Sequence, residues 1–177
     1  MLLGSYALAP KSSYVLSAIC PSSNTIKGIP SPSALSTLSP QLILGLSLMY
    51  VSGFVRLWCY KTLGTHFTFE LTILRGHKLI TSGPYSFVRH PGYTASVLMA
   101  LGVLMMVFDS HGYVRQCGVI DTSARWVLVS YLWMQGYTVM SLLPRGRVED
   151  ERLKKEFGMS WEGYRQEVPY RFIPGIV

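Results

Sequence analysis

The sequence predicts an all-α fold, a polytopic membrane helical bundle, on three observations. The first is composition. Mean hydropathy is +0.30 and only 14% of the 177 residues are charged, against about a quarter in soluble domains. The second is that apolar residues gather into three runs: Leu42–Tyr60, 19 residues with one charge, Arg56; Gly92–Phe108, 17 with none; and Trp126–Leu143, 18 with none. As helices these would be roughly 25–28 Å long, close to the ~30 Å hydrocarbon core of a bilayer. A single domain of this length has few places to bury three helices that are apolar all round. The third is charge placement. Eleven Lys and Arg lie in 61–91 and 144–177, against four on the opposite side, Lys11, Lys27, Arg115 and Arg125. That positive-inside bias puts 61–91 and 144–177 in the cytosol. It also accounts for the net charge of +7, so no nucleic acid is needed as a partner.

Taken in order, residues 1–40 read as a variable N-terminal segment and linker, and 41–177 as the membrane domain. Residues 1–21 are moderately apolar but interrupted by Pro10 and Lys11, with no basic start, so they fit a signal peptide poorly; a short or broken membrane segment is the other reading. Residues 22–40 are rich in Ser and Pro and read as the linker. A membrane helix is expected over about 42–60. In the polar stretch that follows, the alternation His66-Phe67-Thr68-Phe69-Glu70 allows a short strand or an extended loop equally. Pro91 stands where a first-turn proline belongs, since its missing donor costs nothing there. Helices are then expected over about 92–108 and 126–143, joined through Asp109 to Arg125 as a hairpin, with Pro144 expected to stop the third. In the tail 144–177, Leu153, Phe157, Trp161 and Tyr164 recur at helical spacing. They predict a C-terminal amphipathic helix near the membrane surface, with Gly158 kinking it or ending its first part. Cys20, Cys59 and Cys117 are far apart and odd in number, and predict neither a metal site nor a disulfide framework.

Two polar clusters stand out against this apolar background. SGPYSFVRHPGYTAS, Ser82 to Ser96, packs two prolines, two glycines, two tyrosines, an arginine and a histidine into the mouth of the second apolar run. The second cluster is Arg145-Gly-Arg147-Val-Glu149-Asp150-Glu151, in which Arg145 and Glu149 are four apart and would share a helical face. Each part alone is ordinary: turn formers, helix anchors, interfacial aromatics, a solvated charge run. Both, however, lie at the open end of one hairpin. They therefore face each other around a boundary pocket supplied with Arg, His, Tyr and carboxylate groups.

GPYSFVRHPGY, an apolar hairpin, then RGRVEDERLKKEFG and VPYRFIP resemble the isoprenylcysteine carboxyl methyltransferase family over about 42–177. Fungal members are the most similar, through RLWCYKTLGTHFTFEL and PYRFIP. The GPY and RHPGY portion alone is shared more widely, with phospholipid N-methyltransferases and certain NADPH-dependent membrane reductases. The resemblance implies S-adenosyl-L-methionine as cofactor and methyl esterification of the prenylcysteine carboxylate at the C-terminus of prenylated CaaX-type proteins. It further implies a multi-pass chain in the endoplasmic reticulum membrane, in contact with lipid, with a cytosolic cofactor pocket and no metal. Cofactor-binding positions fall on Glu70, on His77, Lys78, Leu79 and Ile80, on Tyr85, on His90, Pro91, Gly92 and Tyr93, and on Glu149. The substrate-side arginine falls on Arg145. A second register would use Arg147 and Glu151; the first keeps the spacing from Leu153 through Phe157-Gly158 without a gap.

The residue types suit that chemistry. A C-terminal carboxylate, with a reference pKa of about 3.3–3.7, is already ionised at neutral pH, so no general base is required. Arg145 offers a planar bidentate fork that lysine cannot imitate. Glu149 can pair with an ammonium, and the rings of Tyr85 and Tyr93 can cover adenine or a sulfonium. Two departures from the family pattern are Glu70, where some relatives have glutamine, and fewer upstream membrane helices. The rival expectations are a phospholipid N-methyltransferase, a membrane reductase, and an inactive shortened member of the family.

Overall fold

The computed structural model describes Cys20 and residues 38–64 and 78–175. The N-terminal segment, most of the Ser/Pro-rich linker, the 66–70 stretch, Glu70 and His77 lie outside the described residues. Every regular element described is helical: α1 (Pro40–Leu63), a 3-10 turn (Gly83–Ser86), α2 (Pro91–Val107), α3 (Tyr113–Gln116), a second 3-10 turn (Val119–Asp121), α4 (Arg125–Phe157) and α5 (Met159–Glu167). Among the described residues, α1 alone is long and apolar enough to cross a bilayer; α2 is apolar but only 17 residues long.

The described residues form two compact units, one built from the chain up to Ser47 with Leu101–Gln135, the other from Leu48–Ala100 with the chain from Gly136 onward. In the first unit, Ser39 caps α1 by accepting the Leu42 N–H at 2.9 Å. The same hydroxyl donates to Asp109, whose second oxygen accepts the His111 N–H at 3.1 Å. Both Ser39 and Asp109 are buried, so each supplies the other's missing partner. Gly45 permits close helix contact: a Cβ there would stand 2.8 Å from the Gly102 carbonyl oxygen. Cys20 and Cys117 form a disulfide, which corrects the expectation that no cysteines pair. The two are 97 residues apart, so spacing carries no trace of the bond. Cys59 remains free and buried.

In the second unit α1 and α2 are bolted by Ser52, which donates to the Ala95 carbonyl at 2.6 Å with both residues fully buried. The expected stop at Pro144 does not occur, since α4 continues through it to Phe157. An interior proline loses one backbone hydrogen bond and costs about 3 kcal/mol. The following turns recover that through tertiary contacts made by Gly146, Glu149 and Asp150, set out below. Gly158, at φ +52°, is the break that ends α4 and starts α5, because only glycine adopts such a conformation without strain. The predicted face of Leu153, Phe157, Trp161 and Tyr164 exists, but it is turned into the protein. Trp161 and Tyr164 are buried with Val168, and Leu79, Leu153 and Phe157 pack against them. Burying side chains of this size contributes about 1.5–3 kcal/mol each, which favours a protein partner over a lipid surface for this stripe.

Candidate active site

The segment leading into α2 is irregular and pairs with the 170–171 backbone. Arg89 N–H donates to the Tyr170 carbonyl at 3.0 Å and His90 N–H to that of Arg171 at 2.8 Å. Pro91 then opens α2, and the His90 carbonyl accepts the Tyr93 and Thr94 amides at 3.1 and 3.3 Å. One turn of helix therefore carries the Tyr93 ring back over the His90 ring, stacked at 5.3 Å between centroids. Phe172 packs against both rings, and Thr94 Oγ1 donates to its carbonyl at 2.5 Å. Gly146 leaves room for Phe172: a Cβ at that position would meet the ring at 2.8 Å.

From α4, Glu149 accepts the Tyr93 hydroxyl at 2.8 Å and lies 3.5 Å from His90 Nδ1. Asp150 takes the opposite edge of the imidazole, with Oδ1 2.9 Å from Nε2. Its other oxygen accepts from Arg171 Nε at 3.0 Å and Arg89 Nη2 at 3.3 Å. Arg89 Nη1 also donates to the Val168 and Pro169 carbonyls, both at 2.7 Å. Arg145 is near enough to hydrogen-bond the Tyr93 hydroxyl and to act on Glu149 by its charge.

Burial opposes charge at all three acid–base groups, and each is overcome by its neighbours. His90 would be pushed down by desolvation, yet hydrogen bonds to Asp150 and Glu149 and their charges raise it above the ordinary histidine value. Desolvation would raise Glu149, but His90, the Tyr93 hydroxyl and Arg145 bring it below the usual carboxylate range. Asp150 behaves alike, lowered by His90, then by Arg89 and Arg171. The result is an imidazole whose charged form is favoured by a carboxylate on each edge. Glu149 keeps 33% of its side chain open, so it can still receive a cationic ligand, whereas Asp150 at 5% cannot.

His90, Tyr93, Arg145 and Glu149 are thus brought together. Pro91 and Gly92 form the first turn of α2, and the Gly92 Cα faces open space. Tyr85 is half-buried on the 3-10 turn, hydrogen-bonded to Cys59 and within electrostatic reach of Glu149, while its carbonyl accepts the Tyr164 hydroxyl at 2.8 Å. Lys78 is exposed, Ile80 is half-buried, and Leu79 packs on the Trp161 cluster. Arg147 and Glu151, the second register, are exposed.

Sequence reasoning missed the partners that hold these groups: Asp150, Arg89, Arg171 and Phe172. Successive helical residues point about 100° apart, so a spacing argument that selects Glu149 passes over its neighbour. Arg56 was also passed over, although a lone charge within an apolar run is itself a signal. It donates to Ser96 Oγ at 2.8 Å and Tyr60 Oη at 2.7 Å, one turn along α2 from Tyr93. Among the described residues no carboxylate lies within ion-pair distance of it.

The profile of the isoprenylcysteine carboxyl methyltransferase family matches residues 44–133, half of the chain. A protein-S-isoprenylcysteine O-methyltransferase B of Arabidopsis thaliana is 28% identical over 127 residues, 71% of this chain and 55% of that protein. A probable 7-dehydrocholesterol reductase of Acanthamoeba polyphaga mimivirus is 30% identical over 102 residues, 58% of this chain and 19% of that protein. A Delta(14)-sterol reductase of Mus musculus is 30% identical over 101 residues, 57% and 20% of the two chains. The chain therefore spans about half the length of the methyltransferases it matches and about a fifth of the reductases. No solved structure matches it significantly.

Proposed function

The chain belongs to the isoprenylcysteine carboxyl methyltransferase family, and from that premise we propose that it methylates the C-terminal carboxylate of prenylated CaaX-type proteins with S-adenosyl-L-methionine. The observation that carries this reading is a partly open carboxylate, Glu149, flanked by Arg145 and an aromatic pair, His90 and Tyr93, at the mouth of an apolar helix. When bound, the cofactor supplies an electrophilic methyl group on a sulfonium. The residues do the rest. Glu149 receives an ammonium, the Tyr93 and Tyr85 rings cover cationic or planar surfaces, and Arg145 holds the acceptor carboxylate by a bidentate fork. Arg56 adds a second cation, held by the Ser96 and Tyr60 hydroxyls and lying over the Tyr60 ring, suited to a carboxylate arriving from lipid. Positioning of this kind, with water excluded, supplies up to about 7–11 kcal/mol of a displacement barrier.

The remaining features of the reading are topological. The 92–108 and 126–143 runs cross the endoplasmic reticulum membrane as a hairpin beside α1, and 61–91 with 144–177 face the cytosol. Lys78, Leu79 and Ile80, together with Glu70 and His77 outside the described residues, complete the cofactor's surroundings. Membranes expressing the chain should transfer label from S-adenosyl-L-methionine to N-acetyl-S-farnesylcysteine as a base-labile ester, above empty membranes. Label in phosphatidylethanolamine instead would make it a phospholipid N-methyltransferase. No transfer from a folded chain would leave an inactive member of the family. The similarity to sterol reductases supports a second reading, tested in the same membranes by reduction of a sterol double bond.

A further inference from the structure

Asp150 has no role in the proposed chemistry, yet three side chains meet it, those of Arg89, His90 and Arg171. It is 4% exposed, and groups from two other segments converge on it. His90 and Arg89 come from the stretch before α2, and Arg171 from the tail. Its contacts are divided by oxygen: Oδ1 serves His90 alone, while Oδ2 serves both arginines. The groups facing His90 are Glu149 and Asp150 from α4, Tyr93 from α2, Arg89 beside it in sequence, and Phe172 from the tail.

We propose that Asp150 is a positioning residue: Oδ1 fixes the orientation and tautomer of the His90 imidazole, so that Nδ1 is presented to Glu149, while Oδ2 fastens the 168–172 tail whose Phe172 braces the same ring. The division of labour follows from hydrogen-bond inventory. A carboxylate can only accept, so the Nε2 edge facing Asp150 must carry a proton in either charge state of the ring. That leaves Nδ1 as the edge that gains or loses its proton against Glu149. With the Nδ1 proton present, His90 and the Tyr93 hydroxyl hold Glu149 together; with it absent, a lone pair faces a carboxylate and Glu149 is pushed away. Asp150 therefore sets the aim of the group proposed to receive the cofactor ammonium. This consequence rests on the proposed function, but the imidazole geometry does not.

The test is nuclear magnetic resonance of the full chain, histidine-labelled and in detergent micelles, with His90 assigned by its loss in His90→Gln. In the wild type at high pH, the neutral His90 ring should carry its proton on Nε2; a proton on Nδ1 overturns the proposal without any variant. Asp150→Asn keeps the shape but removes the charge, and should lower the His90 titration midpoint by about one pH unit or more. Arg171→Gln, which changes a side chain that meets Asp150 at Oδ2 and keeps the backbone carbonyl on His90 N–H, should leave that midpoint unchanged or slightly raised. A folded Asp150→Asn protein with a wild-type midpoint, even if less stable, overturns the positioning role. If instead the functional reading is wrong, methyl transfer is absent from every chain while the tautomer and midpoint shift remain.

Discussion

Among the described residues, the first unit is held by a single buried carboxylate set among neutral contacts, and the second by a cluster of buried charged groups. In the first, a serine cap relayed to Asp109, a backbone approach at Gly45 and one disulfide do the fastening. In the second, two arginines, a histidine and two carboxylates converge within a few ångströms at the start of α2. Charge is a costly way to hold a fold: each ion loses several kcal/mol of hydration, and apolar replacements are often as stable. The clustering of opposite charges in the second unit therefore points to work beyond stability, and it coincides with the residues that the methyltransferase reading requires.

The largest expected effect that separates the two units is on turnover. Arg145→Lys should reduce methyl transfer about a hundredfold, because a point charge cannot hold a carboxylate in the fork geometry and small misplacements are that costly. Cofactor affinity, read by equilibrium dialysis, should change little; full activity would assign the carboxylate to another cation, with Arg56 the first to examine. Next comes binding. Glu149→Ala should weaken cofactor affinity by about 10–100-fold, the value of a charged hydrogen bond. Normal affinity here with a loss in Glu151→Ala would move the site to the Arg147 and Glu151 register.

Two glycines sharpen the contrast through stability. Gly45→Ala drives a Cβ against a backbone carbonyl that cannot swing aside, and Gly146→Ala drives one against the Phe172 ring, which can. Gly45→Ala should therefore cost about 2–3 kcal/mol and Gly146→Ala about 1, measured as shifts of the thermal midpoint in detergent. Activity should rank the other way, since displacing Phe172 disturbs the His90–Tyr93 stack. Equal losses in both assays would erase the distinction between the units.

The smallest effect is the dependence of stability on pH. His90 is raised by folding, so its contribution is complete below the ordinary histidine value of about 6.5 and is lost as pH climbs through the folded value. Glu149 and Asp150 are lowered, so theirs is complete above about 4–5 and is lost as pH falls through their folded values. Stability should thus form a plateau across mildly acid to neutral pH. His90→Gln should remove its alkaline edge and also shrink the acid one, because His90 is the first group that lowers Glu149 and Asp150; an unchanged alkaline edge would assign it to another group.

Much of this was legible in the chain. Apolar runs at Leu42–Tyr60, Gly92–Phe108 and Trp126–Leu143 foretold helices that the structure contains, with Pro91 opening α2 and Gly158 closing α4. Pro144 misled because its local penalty was weighed without the tertiary contacts that outweigh it. The stripe of Trp161 and Tyr164 was read correctly as apolar, but periodicity reports that a face is covered and not what covers it. The Cys20–Cys117 bond and the convergence on Asp150 were hidden for one reason. Each joins segments from 21 to 97 residues apart, and local spacing encodes nothing about who will meet across such distances.

The pairing of Arg89 and His90 with residues 168–172 also has a bearing on the order of events during synthesis. A chain made from its N-terminus delivers Arg89 long before the carbonyls of Val168 and Pro169 that will receive its guanidinium, or the Asp150 carboxylate that balances its charge. Burying a charge without partners is costly, so until those arrive the arginine must stay in contact with water. The site is therefore assembled last. A nascent chain halted before residue 168 would hold Arg89 without the two carbonyls that receive its guanidinium.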